Sequence, residues 1–124
     1  MSRGRKNIDL SALTPEQRAA FFEKKLASYM GFASKAGKIA AGTNTSIFTM
    51  AKGKARLLII ASDMAENSKE KLISAARQNE VEYRVFGHAD DLAHYTGKYG
   101  AGAFAVTDDN FAEVIAQTID DTSK

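Results

Sequence analysis

Five consecutive apolar residues, Leu57 to Ala61, lie near the middle of the 124-residue chain. An unbroken run of this length, without the polar alternation of a half-exposed strand, is typical of a β-strand covered on both faces. Such a strand needs a layer of helices on each side of its sheet. The run therefore predicts the centre of a sheet inside a three-layer α/β/α sandwich.

The segments on either side of this run alternate between strand and helix patterns. The other strands are predicted over residues 38–42, 81–85 and 104–107, and the helices over residues 15–36, 43–53, from 67 on, over 90–96 and from 108 on. This alternation predicts an α/β architecture with a small mixed four-stranded sheet. We expect a single domain over residues 14–120, preceded by a flexible basic arm at residues 1–13.

Polar residues mark the predicted starts of the helices. Thr14 is followed by a proline and, three residues on, by Gln17, and this pattern is a capping box. Residues 67–70, Asn-Ser-Lys-Glu, have a similar pattern, so Asn67 is interpreted as a cap rather than as a ligand contact. Thr43 or Asn44 is placed to cap the helix that follows the first strand.

Charge is distributed unevenly along the chain. Residues 1–60 contain eleven Lys/Arg and three Asp/Glu, a balance of +8, whereas residues 61–124 contain six and twelve, a balance of −6. A basic half indicates a surface for a polyanion, although solvated lysines on helix faces give the same composition. The chain has no cysteine, no signal-peptide pattern and no long apolar span, so we expect a cytoplasmic protein that does not enter membranes.

In the segment from Gly31 to Asn44, small residues and lysines directly precede a predicted helix start. Gly42 permits a close backbone approach, and Asn44 is able to donate and accept hydrogen bonds on a base edge. Lys35 and Lys38 are close by in the sequence and suit phosphate contacts. The alternative is that Gly42 only turns the chain and a polar neighbour only caps the helix.

Several short blocks occur in an order and with a spacing typical of one protein family: residues 31–42, 55–63 with 66–72, 91–98, and 104–108 with 111–112. Together these blocks resemble the ribosomal protein L-seven-Ae family, and most of all its small bacterial YlxQ-type branch. The resemblance covers about residues 25–118. No single block is decisive, but the ordered set is specific.

The resemblance implies a fold and a function. Members of this family are α/β/α sandwiches that bind kink-turn RNA, a sharply bent duplex stem with tandem sheared G·A pairs. For this chain the resemblance implies a monomeric, ribonucleoprotein-type protein that recognises ribosomal or other structured RNA and is associated with the ribosome or translation. It also implies a protein that needs no cofactor or metal and is not an enzyme.

The resemblance also implies which residues contact RNA. In the family, a Gly-x-Asn-Glu stretch at the start of the second helix reads the G·A pairs, and a loop before the last strand covers a flipped-out nucleotide. With the two lysines added, the expected RNA-binding residues are Lys35, Lys38, Gly42, Thr43, Asn44, Thr45, Tyr99, Gly100, Ala101 and Gly102. Tyr99 is suited to stack on an unpaired base, although such a loop is equally typical of a flexible connector.

Two residues depart from the family pattern. Thr45 stands where the family usually has glutamate, and Phe48 stands where it often has lysine. The first change removes a carboxylate that accepts hydrogen bonds from base amino groups, and the second removes a phosphate contact. We therefore expect kink-turn binding to be weaker, or directed at a different RNA.

An enzymatic alternative rests on three carboxylates at predicted strand ends, Asp63, Asp108 and Asp109. Such groups hold magnesium in receiver-like phosphotransfer or signalling domains. Helix capping and turn formation account for them equally well, and the chain has no phosphate-binding Gly-x-x-x-x-Gly-Lys-Ser/Thr loop. A purely structural scaffold is the third interpretation.

Overall fold

The computed structural model describes residues 10–122. After a 3-10 turn at Leu10–Ala12, the elements are α1 (Pro15–Lys35), β1 (Ile39–Ala41), α2 (Thr43–Ala51), β2 (Leu57–Ile60), α3 (Glu66–Gln78), β3 (Glu82–Val85), α4 (Ala89–Thr96), β4 (Ala103–Val106) and α5 (Asp109–Thr122). Most of the predicted basic arm, residues 1–9, lies outside the described residues. No helix within residues 10–122 is both long and apolar enough to span a membrane.

The four strands form one sheet in the order β1-β4-β2-β3. β2 and β3 run parallel, whereas β4 runs antiparallel to both of its neighbours, β1 and β2. The predicted mixed four-stranded sheet is therefore confirmed. This topology puts the last residues of β1, β2 and β3 and the first residue of β4 at one edge of the sheet, which we call the site end.

The two faces of the sheet bury two separate apolar cores. Leu57 and Ile59 of β2 point to the core formed with α1, α4 and α5, whereas Leu58 and Ile60 point to the core formed with α2 and α3. β4 alternates in the same way, and it presents Ala103 and Ala105 to the α2–α3 side. All four residues of β2 are fully buried, which confirms the three-layer sandwich predicted from the apolar run.

Side-chain caps are present at the starts of α1 and α5, where Thr14 and Asp108 accept backbone N–H groups of the first turn, and absent at the starts of α2 and α3. The Thr14 hydroxyl accepts the Gln17 backbone N–H at 3.1 Å, and the Gln17 side chain accepts the Thr14 N–H at 2.9 Å, so the capping box is confirmed. The N-cap of α2 is Gly42 and that of α3 is Ala65, and neither cap makes a side-chain hydrogen bond. The interpretation of Asn67 as a cap is wrong, because the helix starts before it.

The direction of β4 separates the three carboxylates of the enzymatic alternative. Asp63 follows β2 at the site end, whereas Asp108 and Asp109 follow the antiparallel β4 at the opposite end. Each has another partner: Asp63 accepts the Ala89 N–H at 2.9 Å, Asp108 accepts the Phe111 N–H at 2.9 Å, and Asp109 pairs with Arg56 at 3.0 Å. No cluster of three or more metal-ligating side chains occurs within residues 10–122. The receiver-like magnesium site is therefore wrong for this fold.

Candidate nucleic-acid interface

The chain passes from β1 into α2 at one residue, Gly42. The Gly42 N–H donates to the Ala103 carbonyl at 2.8 Å, and the Gly42 carbonyl accepts the Ser46 N–H at 2.9 Å. Its backbone has φ 108° and ψ 153°, a conformation that favours glycine. A Cβ built at Gly42 would meet only the Thr45 hydroxyl, at 3.8 Å, so the backbone conformation rather than space requires glycine here.

The first turn of α2 is open to ligands. Because its cap is a glycine, no side chain satisfies the first backbone N–H groups, which carry the partial positive charge of the helix dipole. Thr43 to Thr45 form this turn, and Asn44 and Thr45 are exposed. The predicted capping roles of Thr43 and Asn44 are wrong, since both lie inside the helix. Their side chains therefore do not cap α2.

A second exposed segment precedes β4. α4 ends at Gly97 in the left-handed conformation, with φ 72°, and residues 98–102 then return the chain to the sheet. The Gly102 carbonyl accepts the Ala61 N–H at 2.8 Å, which ties the end of the loop to the end of β2. The Tyr99 side chain is 73% exposed. This loop therefore presents a free aromatic ring from a fixed backbone position.

Gly102 allows Met64 to cover the loop closely. A Cβ at Gly102 would lie 2.9 Å from both the Cγ and the Sδ atoms of Met64. Beside this contact is an open recess of about 260 Å³, which is lined by Met64, Ala89, Asp90, Ala93, Gly100, Ala101 and Gly102. The recess adjoins the loop that carries Tyr99.

The fold brings the two predicted segments together. The hydrogen bond from Gly42 to Ala103, and the register that opposes Ala41 to Phe104, place the first turn of α2 and the loop at residues 99–102 at the site end. We call these two segments together the α2–loop surface. They are 54 residues or more apart in the sequence, and only the antiparallel pairing of β1 with β4 makes them neighbours.

The two predicted lysines are placed differently from each other. Lys38 lies at the opposite end of β1 from Gly42, about 13 Å away along four extended residues, and its carbonyl accepts the Thr107 N–H at 2.9 Å. Lys35 is the last residue of α1, and the neighbouring Ser34 hydroxyl donates to the Thr96 carbonyl at 2.7 Å. Lys35 is thus beside the start of the loop, whereas Lys38 is not beside the first turn of α2.

The Asp63 carboxylate holds the start of α4 at the site end. Asp63 Oδ1 accepts the first N–H of α4, from Ala89, and its Oδ2 lies 3.7 Å from His88 Nδ1. The hydrogen bond from the Ala89 backbone, assisted by His88 and opposed by burial, holds the pKa of Asp63 below its usual value. Asp63 therefore stays ionised and fixes the start of α4.

Two features flank the α2–loop surface and were not predicted as contacts from the sequence. Phe48 and Lys52 continue the outward face of α2 beyond Asn44, and Lys52 Nζ lies 5.0 Å from the centroid of the Phe48 ring. The spacing of four residues between them is a helical signal that was available in the sequence. Met64 had no such signal, because its contact with Gly102 depends on the tertiary fold.

Comparison with known proteins gives relatives of similar length. The family model described as ribosomal protein L7Ae/L30e/S12e/Gadd45 matches residues 24–116. RNA-binding protein YlxQ of Enterococcus faecium is 28% identical over 98 residues, which cover 78% of this chain and 93% of that protein. RNA-binding protein YlxQ of Bacillus subtilis (strain 168) is 25% identical over 91 residues, which cover 73% and 91%. The resemblance seen in the sequence blocks is confirmed.

Solved structures with the same fold agree. A protein with unknown function from Bacillus halodurans C superposes with a TM-score of 0.74 at 26% identity, over 77% of this chain and 97% of that chain. The Giardia lamblia 15.5kD RNA binding protein superposes with a TM-score of 0.65 over 83% of this chain and 88% of that chain. Since that pair is only 20% identical, the second likeness concerns the fold alone.

Proposed function

Because the chain belongs to the ribosomal protein L7Ae/L30e/S12e/Gadd45 family, we propose that it is a non-enzymatic RNA-binding protein that recognises structured RNA through the α2–loop surface. The RNA of this proposal is a kink-turn or a related bent stem. Two relatives that cover most of this chain are named RNA-binding proteins, which supports the RNA part of the proposal. A cytoplasmic location, a monomeric state and an association with ribosomal RNA belong to the same proposal.

The observation that carries the proposal is the hydrogen bond between the Gly42 N–H and the Ala103 carbonyl. It holds an uncapped helix start, with its exposed Asn44, next to a loop with its exposed Tyr99. A bent stem offers base edges, phosphates and an unpaired base within a short distance. The α2–loop surface offers a complementary group for each of these three features.

Each group of the surface suits a different part of such an RNA. The Asn44 amide both donates and accepts, as the edge of a purine requires. The free N–H groups of the first turn of α2 suit a phosphate. The Tyr99 ring suits stacking on a base that has left the duplex. Thr45 supplies a hydroxyl in place of a carboxylate, so we expect a smaller preference for tandem G·A pairs than a glutamate would give.

The proposal is tested by titrating the protein with a kink-turn stem and with a fully paired duplex of the same length, at several salt concentrations. We expect tighter binding to the kink-turn stem. We also expect a log–log salt dependence that corresponds to about three to six neutralised phosphates. Equal affinity for the two RNAs, or an affinity that does not change with salt, would contradict the proposal.

A further inference from the structure

An exposed aromatic ring lies on α2 outside the residues assigned above. The Phe48 side chain is 62% exposed, and Lys52 Nζ lies 5.0 Å from its centroid, within the range of a cation–π contact. Asn44, Phe48 and Lys52 are four residues apart in turn, so they form one stripe along the helix, with about 6 Å between successive residues. The stripe starts at the open end of α2.

The packing of α2 does not use the Phe48 ring. The core beneath this helix is formed by Met50 and covered by Ile47, and Phe48 belongs to neither of the two cores. A second cation–aromatic group, on α1, provides a contrast. Lys25 Nζ lies 6.0 Å from the ring centroids of both Phe21 and Tyr29, and these two residues are half-buried. The Phe48 ring is available to a partner in a way that those two are not.

The charge around Phe48 selects the class of partner. Residues 43–56 contain Lys52, Lys54 and Arg56 and no aspartate or glutamate. Lys52 and Lys54 are exposed, and Arg56 is paired with Asp109. A flat apolar ring beside an exposed lysine complements a nucleobase with its phosphate, whereas an apolar protein surface would gain nothing from the cation.

We propose that Phe48 and Lys52 form a stacking platform for an unpaired base of the bound RNA, next to the bases contacted by Asn44. This inference rests on the proposed function, and it adds a requirement: the RNA must carry an unpaired nucleotide that reaches α2. The base stacks on the Phe48 ring. Lys52, which lies over the ring in the free protein, moves to the phosphate of that nucleotide.

The first test compares Phe48→Leu with the parent on a kink-turn stem and on a fully paired duplex. Leucine keeps apolar bulk and helix propensity but has no ring face. Loss of one base-stacking contact corresponds to an affinity about 5- to 150-fold lower. We expect this loss on the kink-turn stem and unchanged affinity for the duplex, which has no free base face.

Phe32 provides a matched control. It is 60% exposed and also lies on a helix, near the end of α1, so Phe32→Leu removes an equally exposed ring outside the stripe. We expect Phe32→Leu to bind both RNAs as the parent does. Because both side chains are exposed, we expect both variants to fold, and circular dichroism checks this.

A fluorescence test reports stacking directly, because the chain has no tryptophan. Phe48→Trp and Phe32→Trp each introduce a single fluorophore. We expect the kink-turn stem to quench the tryptophan at position 48 and to protect it from acrylamide, and to leave the one at position 32 unaffected.

The outcomes separate the platform from the proposed function. If the parent prefers the kink-turn stem, but Phe48→Leu binds it equally well and the tryptophan at position 48 stays accessible, the platform is wrong and the proposed function stands. If the parent binds neither RNA, both are wrong.

Discussion

Thr45 is the residue at which the α2–loop surface departs from the family pattern in a way that bears on base recognition. It lies in the first turn of α2 and is exposed, and its carbonyl accepts the Thr49 hydroxyl at 2.7 Å. A hydroxyl is a weaker acceptor for base amino groups than a carboxylate. We therefore expect Thr45 to limit how strongly the proposed surface discriminates between RNAs.

Thr45→Glu is expected to strengthen binding to a kink-turn stem and to weaken binding to a plain duplex. The new carboxylate accepts from base amino groups in the bent stem, but in the duplex it only repels phosphates. It also lies at the positive end of the α2 dipole, which stabilises the fold by about 0.3–1 kcal/mol. Dissociation constants for both RNAs and a thermal melt measure these effects. A parallel loss of affinity for both RNAs would contradict the assignment.

At the scale of the element, the geometry of the α2–loop surface depends on the start of α2. Gly42 closes the last hydrogen bond between β1 and β4 and then turns the chain into the helix within one residue. A residue with a Cβ is strained at this φ, so the geometry of the first turn depends on a single glycine. The orientation of the exposed groups in the first turn of α2 therefore depends on the backbone conformation of Gly42.

Gly42→Ala is expected to lower the free energy of unfolding by about 1–3 kcal/mol and to remove the preference for a kink-turn stem. Gly53→Ala is the matched control, because Gly53 also has a positive φ, of 73°, but follows the other end of α2. Its substitution should destabilise the fold and leave RNA preference intact. Urea unfolding and RNA titration of both variants make the comparison. A Gly42→Ala protein that is destabilised yet still discriminates would show that the junction does not control recognition.

The elements also show how far the sequence predicts the structure. The capping box at Thr14 could be predicted from the sequence because all of its partners lie within four residues. The capping residues of α2 and α3 were assigned wrongly, since the pairing of Gly42 with Ala103 fixes the start of α2 and no local pattern contains that bond. The direction of β4 could not be predicted from the sequence either. Because β4 is antiparallel to β2, Asp108 lies at the opposite end of the sheet from Asp63.

At the scale of the whole molecule, the basic side chains within residues 10–122 do not all lie at the site end. Arg56 is neutralised by Asp109, and Lys38 lies at the far end of β1 from Gly42. For the proposed complex we therefore expect phosphate contacts from several parts of the basic half and base contacts from the site end. The resemblance to the family identified both segments of the surface, but their proximity follows only from the fold.

Recognition by the α2–loop surface is tested most directly by substituting Asn44 and measuring discrimination between a kink-turn stem and a duplex. Asn44→Ala is expected to lose about 1–3 kcal/mol of binding free energy on the kink-turn stem and far less on the duplex. Lys38→Ala is the matched control, expected to weaken both RNAs by similar factors and to lower the salt slope by about one, because a phosphate contact carries no sequence information.

Circular dichroism and melting temperature establish that each variant is folded. Asn44 makes no cap in α2, so we expect Asn44→Ala to melt close to the parent. We expect a folded Asn44→Ala protein whose preference for the kink-turn stem over the duplex is about 5- to 150-fold smaller than that of the parent. A folded Asn44→Ala protein that still discriminates as the parent does would contradict this expectation and would place the RNA site elsewhere on the molecule.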